Sequence, residues 1–155
     1  MIILIQVDSR EKARAIKKIL AHFDRCKVDY FVSKLVVGDY MLLDNPRLVV
    51  DRKQSLSEVY QNFCHDKKRF THEMERAKAL GIQLLFLVEH GSNIRSLKDV
   101  AGWYNPRLDV TPYAWTGEYL AQQMFRAERM HGVKFHFCDK AQTGAKIIQL
   151  LGGTP

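Results

Sequence analysis

The sequence predicts an α/β fold, a three-layer sandwich with a central mixed β-sheet flanked by helices. Three observations carry that expectation. Residues 2–7 and 84–88 are almost unbroken apolar runs, as strands covered on both faces require. Residues 11–23, 67–80 and 117–130 place apolar side chains at helical spacing. In the middle, two shorter apolar runs flank Asp44, Asn45, Pro46 and Arg47, which favour a turn, so they read as a hairpin.

Residues 2–7 lack a basic leader, are too short for a signal sequence, and run straight into Asp8, Ser9, Arg10, Glu11 and Lys12. They read as a buried first strand. Asp8 and Ser9 are suited to cap a helix over 11–23, with Ala13, Ile16, Ile19, Leu20 and Phe23 on one face. Residues 28–33 alternate Val28, Tyr30 and Val32 with Asp29 and Phe31, as a strand does. The hairpin follows, its first arm Val36, Val37, Gly38, Asp39 and Tyr40 and its second ending in Asp51, Arg52 and Lys53. Ser55 or Ser57 caps a short helix carrying Leu56, Val59, Tyr60 and Phe63. A second helix over 67–80 carries Phe70, Met74, Ala77 and Leu80 and stops at Gly81.

After the strand at 84–88, residues 90–116 are broken by Gly91, Gly102, Pro106 and Pro112 and hold Trp103, Tyr104, Tyr113 and Trp115. That suits a long loop, either facing substrate or anchored by its aromatics. A helix over 117–130, a half-buried strand over 134–138 and a helix over 143–151 complete a single domain across 1–155.

Charge narrows the partner. The 24 Lys and Arg against 17 Asp and Glu give a net charge of +7, a balance that suits a polyanion. No apolar run nears the roughly 20 residues needed to span a bilayer, so no membrane partner is expected. Cys26, Cys64 and Cys138 are odd in number and lack zinc-ligand spacing, which predicts reduced thiols and a cytoplasmic setting, nucleoid-associated in a bacterium or phage and nuclear in a eukaryote. The histidines show no HxH or HxxxH pairing, and no GxGxxG or GxxxxGK[ST] loop is present, which argues against a histidine zinc site and a nucleotide fold.

Asp8, Asp39 and Asp51 all fall at predicted strand ends. Singly, each reads as a surface charge. Brought together in a mixed sheet, they repel one another unless a divalent cation lies between them. Oxygen ligands of this kind suit Mg2+ or Mn2+. Lys53 follows Asp51 by two residues, so on a strand both side chains share a face. A lysine beside such an ion can orient water or stabilise charge on a phosphate. The pattern D-x(11)-D-x-K therefore fits metal-assisted hydrolysis of a phosphodiester.

The stretches Val7 to Glu11, Val37 to Tyr40 and Val50 to Lys53 resemble, in order, the motifs of the XPF-type structure-specific endonuclease domain, a branch of the PD-(D/E)xK nucleases with the signature GD…(E/D)RKxxxD. Arg69, Phe70, Glu73 and Arg76 are similar to its RFxxQxxR helix. The resemblance implies a restriction-endonuclease-like fold and a Mg2+- or Mn2+-dependent DNA endonuclease acting at branches, flaps or junctions. It implies Asp39 and Asp51 as metal ligands joined by the carbonyl of Arg52, Lys53 as the catalytic lysine, and Asp8 bound to the metal directly or through water. Glu11 and Arg10 would support the site. Read from charge, Lys67, Lys68, Arg69, Arg76 and Lys78 form either a DNA-contacting face that tracks phosphates or a solvated helix face paired locally with Glu73 and Glu75, and the resemblance favours DNA contact for Arg69 and Arg76.

Two departures stand out. Asp51 occupies the place of the commoner Glu, and Ser57 the place of the final acidic residue. These 155 residues show neither a helix-hairpin-helix nor a helicase module, so the chain reads as a standalone nuclease domain. The family's pairing through its nuclease domains implies a homodimer, with residues 103–125 or the C-terminal helix as candidate faces. The rival reading is a catalytically silent module of the same fold that binds DNA or a partner.

Overall fold

A computed structural model describes residues 3–91 and 93–152 of the chain. Ile2, assigned above to the first strand, lies outside the described residues. Six strands form one mixed sheet: β1 (Leu4–Val7), β2 (Asp29–Val32), β3 (Tyr40–Leu42), β4 (Asn45–Lys53), β5 (Gln83–Glu89) and β6 (Lys134–Cys138). Their order across the sheet is β2-β1-β3-β4-β5-β6. β3 runs antiparallel to both neighbours, β1 pairs in parallel with β2, and β4, β5 and β6 are parallel to one another.

Alternation along the central strands divides the core in two. Val49, Leu84, Phe86 and Val88 pack with helices α2 (Leu56–Cys64), α3 (Lys67–Ala79) and α4 (Gly117–His131). Val50, Leu85 and Leu87 pack on the other face with α1 (Ala13–Arg25) and α5 (Thr143–Leu150). Val49 and Val50 of β4 and residues 84–88 of β5 are therefore apolar toward both layers, the reason for the unbroken run at 84–88. The three-layer α/β sandwich expected from the sequence is the fold. Among the described residues, no helix is long and apolar enough to cross a membrane.

Local boundaries differ from the sequence reading where a side chain is diverted to another task. The first helix starts at Ala13 rather than at residue 11, with Lys12 at its N-cap and no side-chain cap. Asp8 does not cap it, because its carboxylate is bound to Arg10 and to the amide of Leu35. The hairpin turn is Leu43 and Asp44 alone, and Asn45, Pro46 and Arg47 already belong to β4. Val36 to Asp39 are bends rather than strand, and Val36 is 62% exposed. Gly38 turns the chain there at φ 74°. In β2, an edge strand, Val32 is exposed although its alternation with Asp29 suggested burial. Leu80 is likewise exposed, because α3 ends at Ala79.

The long segment after β5 is anchored. It folds into two 3-10 turns, Leu97–Gly102 and Pro106–Asp109, the first opened by a capping box of Ser96 and Asp99. Leu97 and Val100 are buried in the core shared with α4. Trp115 packs edge-on against Tyr60 at 5.7 Å and Tyr119 at 4.8 Å, so this tryptophan is a packing residue. Tyr113, 90% exposed, and Tyr104 face solvent.

Candidate active site

β4 puts the charged triplet on two opposite faces. Asp51 and Lys53 share the face of Val49, toward α2 and α3. Their side chains meet, Lys53 Nζ lying 3.4 Å from Asp51 Oδ2. The ammonium also stands 5.2 Å and 5.4 Å from the ring centroids of Phe70 and Phe86. All three polar groups of the triplet are buried.

Arg52 points the other way, into an ion-paired cluster beneath the site. Its Nε donates to Glu89 Oε1 at the end of β5, and its Nη1 lies 3.4 Å from Glu11 Oε2. The guanidinium thus ties the strand end to the segment before α1. A buried cluster of this kind holds only while every partner is present.

Asp39 arrives from the bend before β3. Its backbone amide donates to the Val50 carbonyl at 2.9 Å, and its Oδ2 accepts from the Arg52 amide at 2.8 Å. The approach requires Gly38, since a Cβ there would collide with Val49 Cγ1. Asp8 lies behind, with its backbone amide on the Asp39 carbonyl at 2.8 Å. Asp8 Oδ1 accepts from the Leu35 amide at 2.8 Å, and Oδ2 from Arg10 Nε at 2.8 Å. These bonds occupy part of the acceptor capacity of the Asp8 carboxylate and fix its orientation.

The electrostatics show what these contacts do. Burial and the neighbouring Asp51 push the Asp39 carboxyl well above the usual carboxylate range. Burial works against charge on Asp51 too, yet Lys53 and hydrogen bonds from Asp39, Glu73 and Lys53 hold it below its ordinary value. Glu73, from α3, is pushed up to about 8 by burial and by Asp51. Glu11 is raised by burial against the opposing pull of Arg52, and its carboxyl touches that of Asp39. Burial lowers the Lys53 ammonium, but Asp51, Glu73 and Glu58 more than offset it, so Lys53 keeps its proton.

A cleft of about 890 Å³ opens over these groups. Asp39, Asp51 and Glu73 are among its acidic lining, and Arg10, Lys12, Lys68, Arg69, His72 and Arg76 are among its basic lining. Of the residues expected to contact DNA, Lys68, Arg69 and Arg76 border the cleft. Lys67 instead lines a separate depression with Phe63 and Met130, between α3 and α4. Arg69 also pairs with Asp66 at 3.6 Å.

Among the described residues, no three His, Cys, Asp or Glu side chains stand in a ready-made metal cage. The donor set is nevertheless all oxygen, and burial with the neighbouring Asp51 raises the carboxyls of both Asp39 and Glu73. Such a set fits a hard divalent cation, which would relieve that repulsion. Two acidic residues join this arrangement beyond the expected site residues. Glu73, expected only as part of the helix motif with Arg69 and Arg76, lines the cleft with them. Glu89 ends an apolar strand, and only the fold brings it to Arg52.

The ERCC4 domain matches this chain over residues 7–151. Among solved structures, XPF from Aeropyrum pernix has a similar fold, with a TM-score of 0.67 and 20% identity over 96% of this chain. XPF from Aeropyrum pernix in complex with DNA gives a TM-score of 0.65 and 19% identity, again over 96%. This chain spans 63% of the length of each. No curated protein sequence matches it.

Proposed function

The chain belongs to the ERCC4 domain family, and from that membership we propose that it is a divalent-metal-dependent DNA endonuclease acting at branches, flaps or junctions. One observation carries the reading. Asp39, Asp51 and Lys53 line one cleft together with Arg10, Lys68, Arg69 and Arg76, and Lys53 pairs with Asp51.

Asp39 and Asp51 would hold Mg2+ or Mn2+, with the Arg52 carbonyl as the backbone ligand. When bound, such an ion polarises the scissile phosphate and favours hydroxide over water. The protein's own groups do the rest. Lys68, Arg69 and Arg76 draw in phosphates and fix the strand over the cleft. Lys53 keeps its proton at Nζ and offers it as a hydrogen bond to attacking water or to a phosphate oxygen. Phe70 and Phe86 close one side of the ammonium to solvent and limit its freedom. Arg10, held by Asp8 and the Leu35 carbonyl, reaches the rim as a further phosphate contact.

The deciding experiment is cleavage of flap and four-way-junction DNA with Mg2+ or Mn2+, by wild type and by Asp51→Ala. Wild type cuts and the variant does not. Equal cleavage by the two would overturn the assignment.

A further inference from the structure

The depression between α3 and α4 combines an apolar floor with a cationic rim. It holds about 240 Å³, and all of its lining belongs to α2, α3 and α4. Phe63, Met74, Ala127 and Met130 supply the apolar surface. Met130 is 49% exposed, while Leu120, Met124 and Ala127 of the same helix are buried. Lys78 Nζ donates to the Met130 carbonyl at 3.1 Å and ties the two helices together at one end. Lys67, Arg126 and His131 border the groove, against the one carboxylate of Glu75. Among the described residues neither Lys67 nor Arg126 forms an ion pair, and Arg126 Nε lies 3.2 Å from Met130 Sδ. Glu128 of α4 gives no relief, since its Oε2 accepts from the Phe135 amide at 2.9 Å.

The chemistry of the groove narrows its occupant. A phosphate backbone would leave the cations' apolar floor uncovered, or bury its own charge there at a cost. A second copy in an isologous pair would set two like-charged rims face to face. No strand edge borders the groove, so an incoming segment cannot extend the sheet and must satisfy its own backbone bonds, as a helix does. We infer that this groove binds an acidic amphipathic helix of a partner protein, its apolar stripe on Ala127 and Met130 and its carboxylates toward Lys67 and Arg126. α3 is the wall between groove and cleft, with Lys67 on one side and Lys68 and Arg69 on the other, so the two can be filled at once. The inference is independent of whether Asp39 and Asp51 hold a metal.

The test is a titration of the whole chain, labelled at its methionine methyl groups, with a synthetic peptide of about fifteen residues carrying leucines at i, i+3 and i+7 among glutamates. A control peptide has the same composition with its leucines scattered. The Met130 methyl resonance is expected to shift and saturate with a dissociation constant below about 1 mM, while that of the buried Met124 stays in place. Arg126→Glu, its fold checked by circular dichroism, is expected to weaken binding at least about tenfold, and Glu75→Lys to strengthen it. Equal binding of both peptides, unchanged affinity in Arg126→Glu, or no saturable Met130 shift overturns the inference. So does a Met130 shift of the same size on adding duplex DNA or on raising the protein concentration alone.

Discussion

The backbone amide of Arg52 donates to Asp39 Oδ2 at 2.8 Å, which fixes Asp39 against the strand that carries Asp51. The bond lowers the cost of charge on Asp39 but does not cancel burial and the adjacent carboxylate. Asparagine keeps an acceptor for the Arg52 amide and removes the repulsion. Asp39→Asn is therefore expected to abolish cleavage while raising the stability of the metal-free protein by about 0.5–2 kcal/mol, a gain at the expense of function. Thermal melts beside a cleavage assay check both halves.

The carboxyl of Glu73, at about 8 in the folded chain against 4.5 as its ordinary value, sets a pH dependence. Across that window the native state binds more protons than the unfolded chain. Stability without metal is thus greatest at the acid end of the window and falls as pH rises from about 4.5 to 8. Melting temperatures over this range should decline in wild type and decline less in Glu73→Gln. A flat wild-type profile would remove the basis for the expectation.

Gly38→Ala combines a positive φ with a collision against Val49 Cγ1 and a 3.3 Å approach to the Val50 carbonyl. The strain alone costs roughly 1–2 kcal/mol, and overpacking adds roughly 1–3 kcal/mol. Because Asp39 is the next residue, activity is expected to fall further than stability accounts for. Urea titration and single-turnover cleavage measure the two separately.

Arg52→Ala leaves Glu11 and Glu89 without their shared cation in the interior, an expected loss of about 3–5 kcal/mol. Arg10, over half exposed in its side chain, pairs in a more solvated place, and Arg10→Ala is expected to cost only about 1 kcal/mol. Equal destabilisation by the two changes in chemical denaturation would contradict the assigned burial.

Binding of flap DNA should weaken in Arg69→Ala and Arg76→Ala, each lowering the slope of log affinity against log salt by about 1. Lys67→Ala, whose side chain lines the depression beside α4, should leave that slope unchanged. Fluorescence anisotropy at several salt concentrations, with Ca2+ in place of Mg2+, makes the comparison.

Much of the fold was legible in the chain because burial imposes its own period. The run at 84–88 is apolar on both faces because β5 is covered on both, and Phe135 and Phe137 alternate because β6 is only half covered. Capping was less legible. Asp8 has the chemistry of a helix cap, but tertiary partners, the Leu35 amide and Arg10, claim its oxygens. The segment at 90–116 lacks a period because its order comes from Leu97, Val100 and Trp115 packing against distant elements.

The candidate site divides along the same line. Strand alternation by itself determined that Asp51 and Lys53 share a face, because a two-residue period leaves no other choice. Motif order determined which carboxylates to compare. Only the tertiary structure decided that Arg52 turns inward to Glu89 and Glu11, that Lys67 turns from the cleft, and that Glu73 lines the same cleft as Asp51. Those contacts join residues from different elements, and their positions depend on how helices pack across a sheet, which no local period encodes.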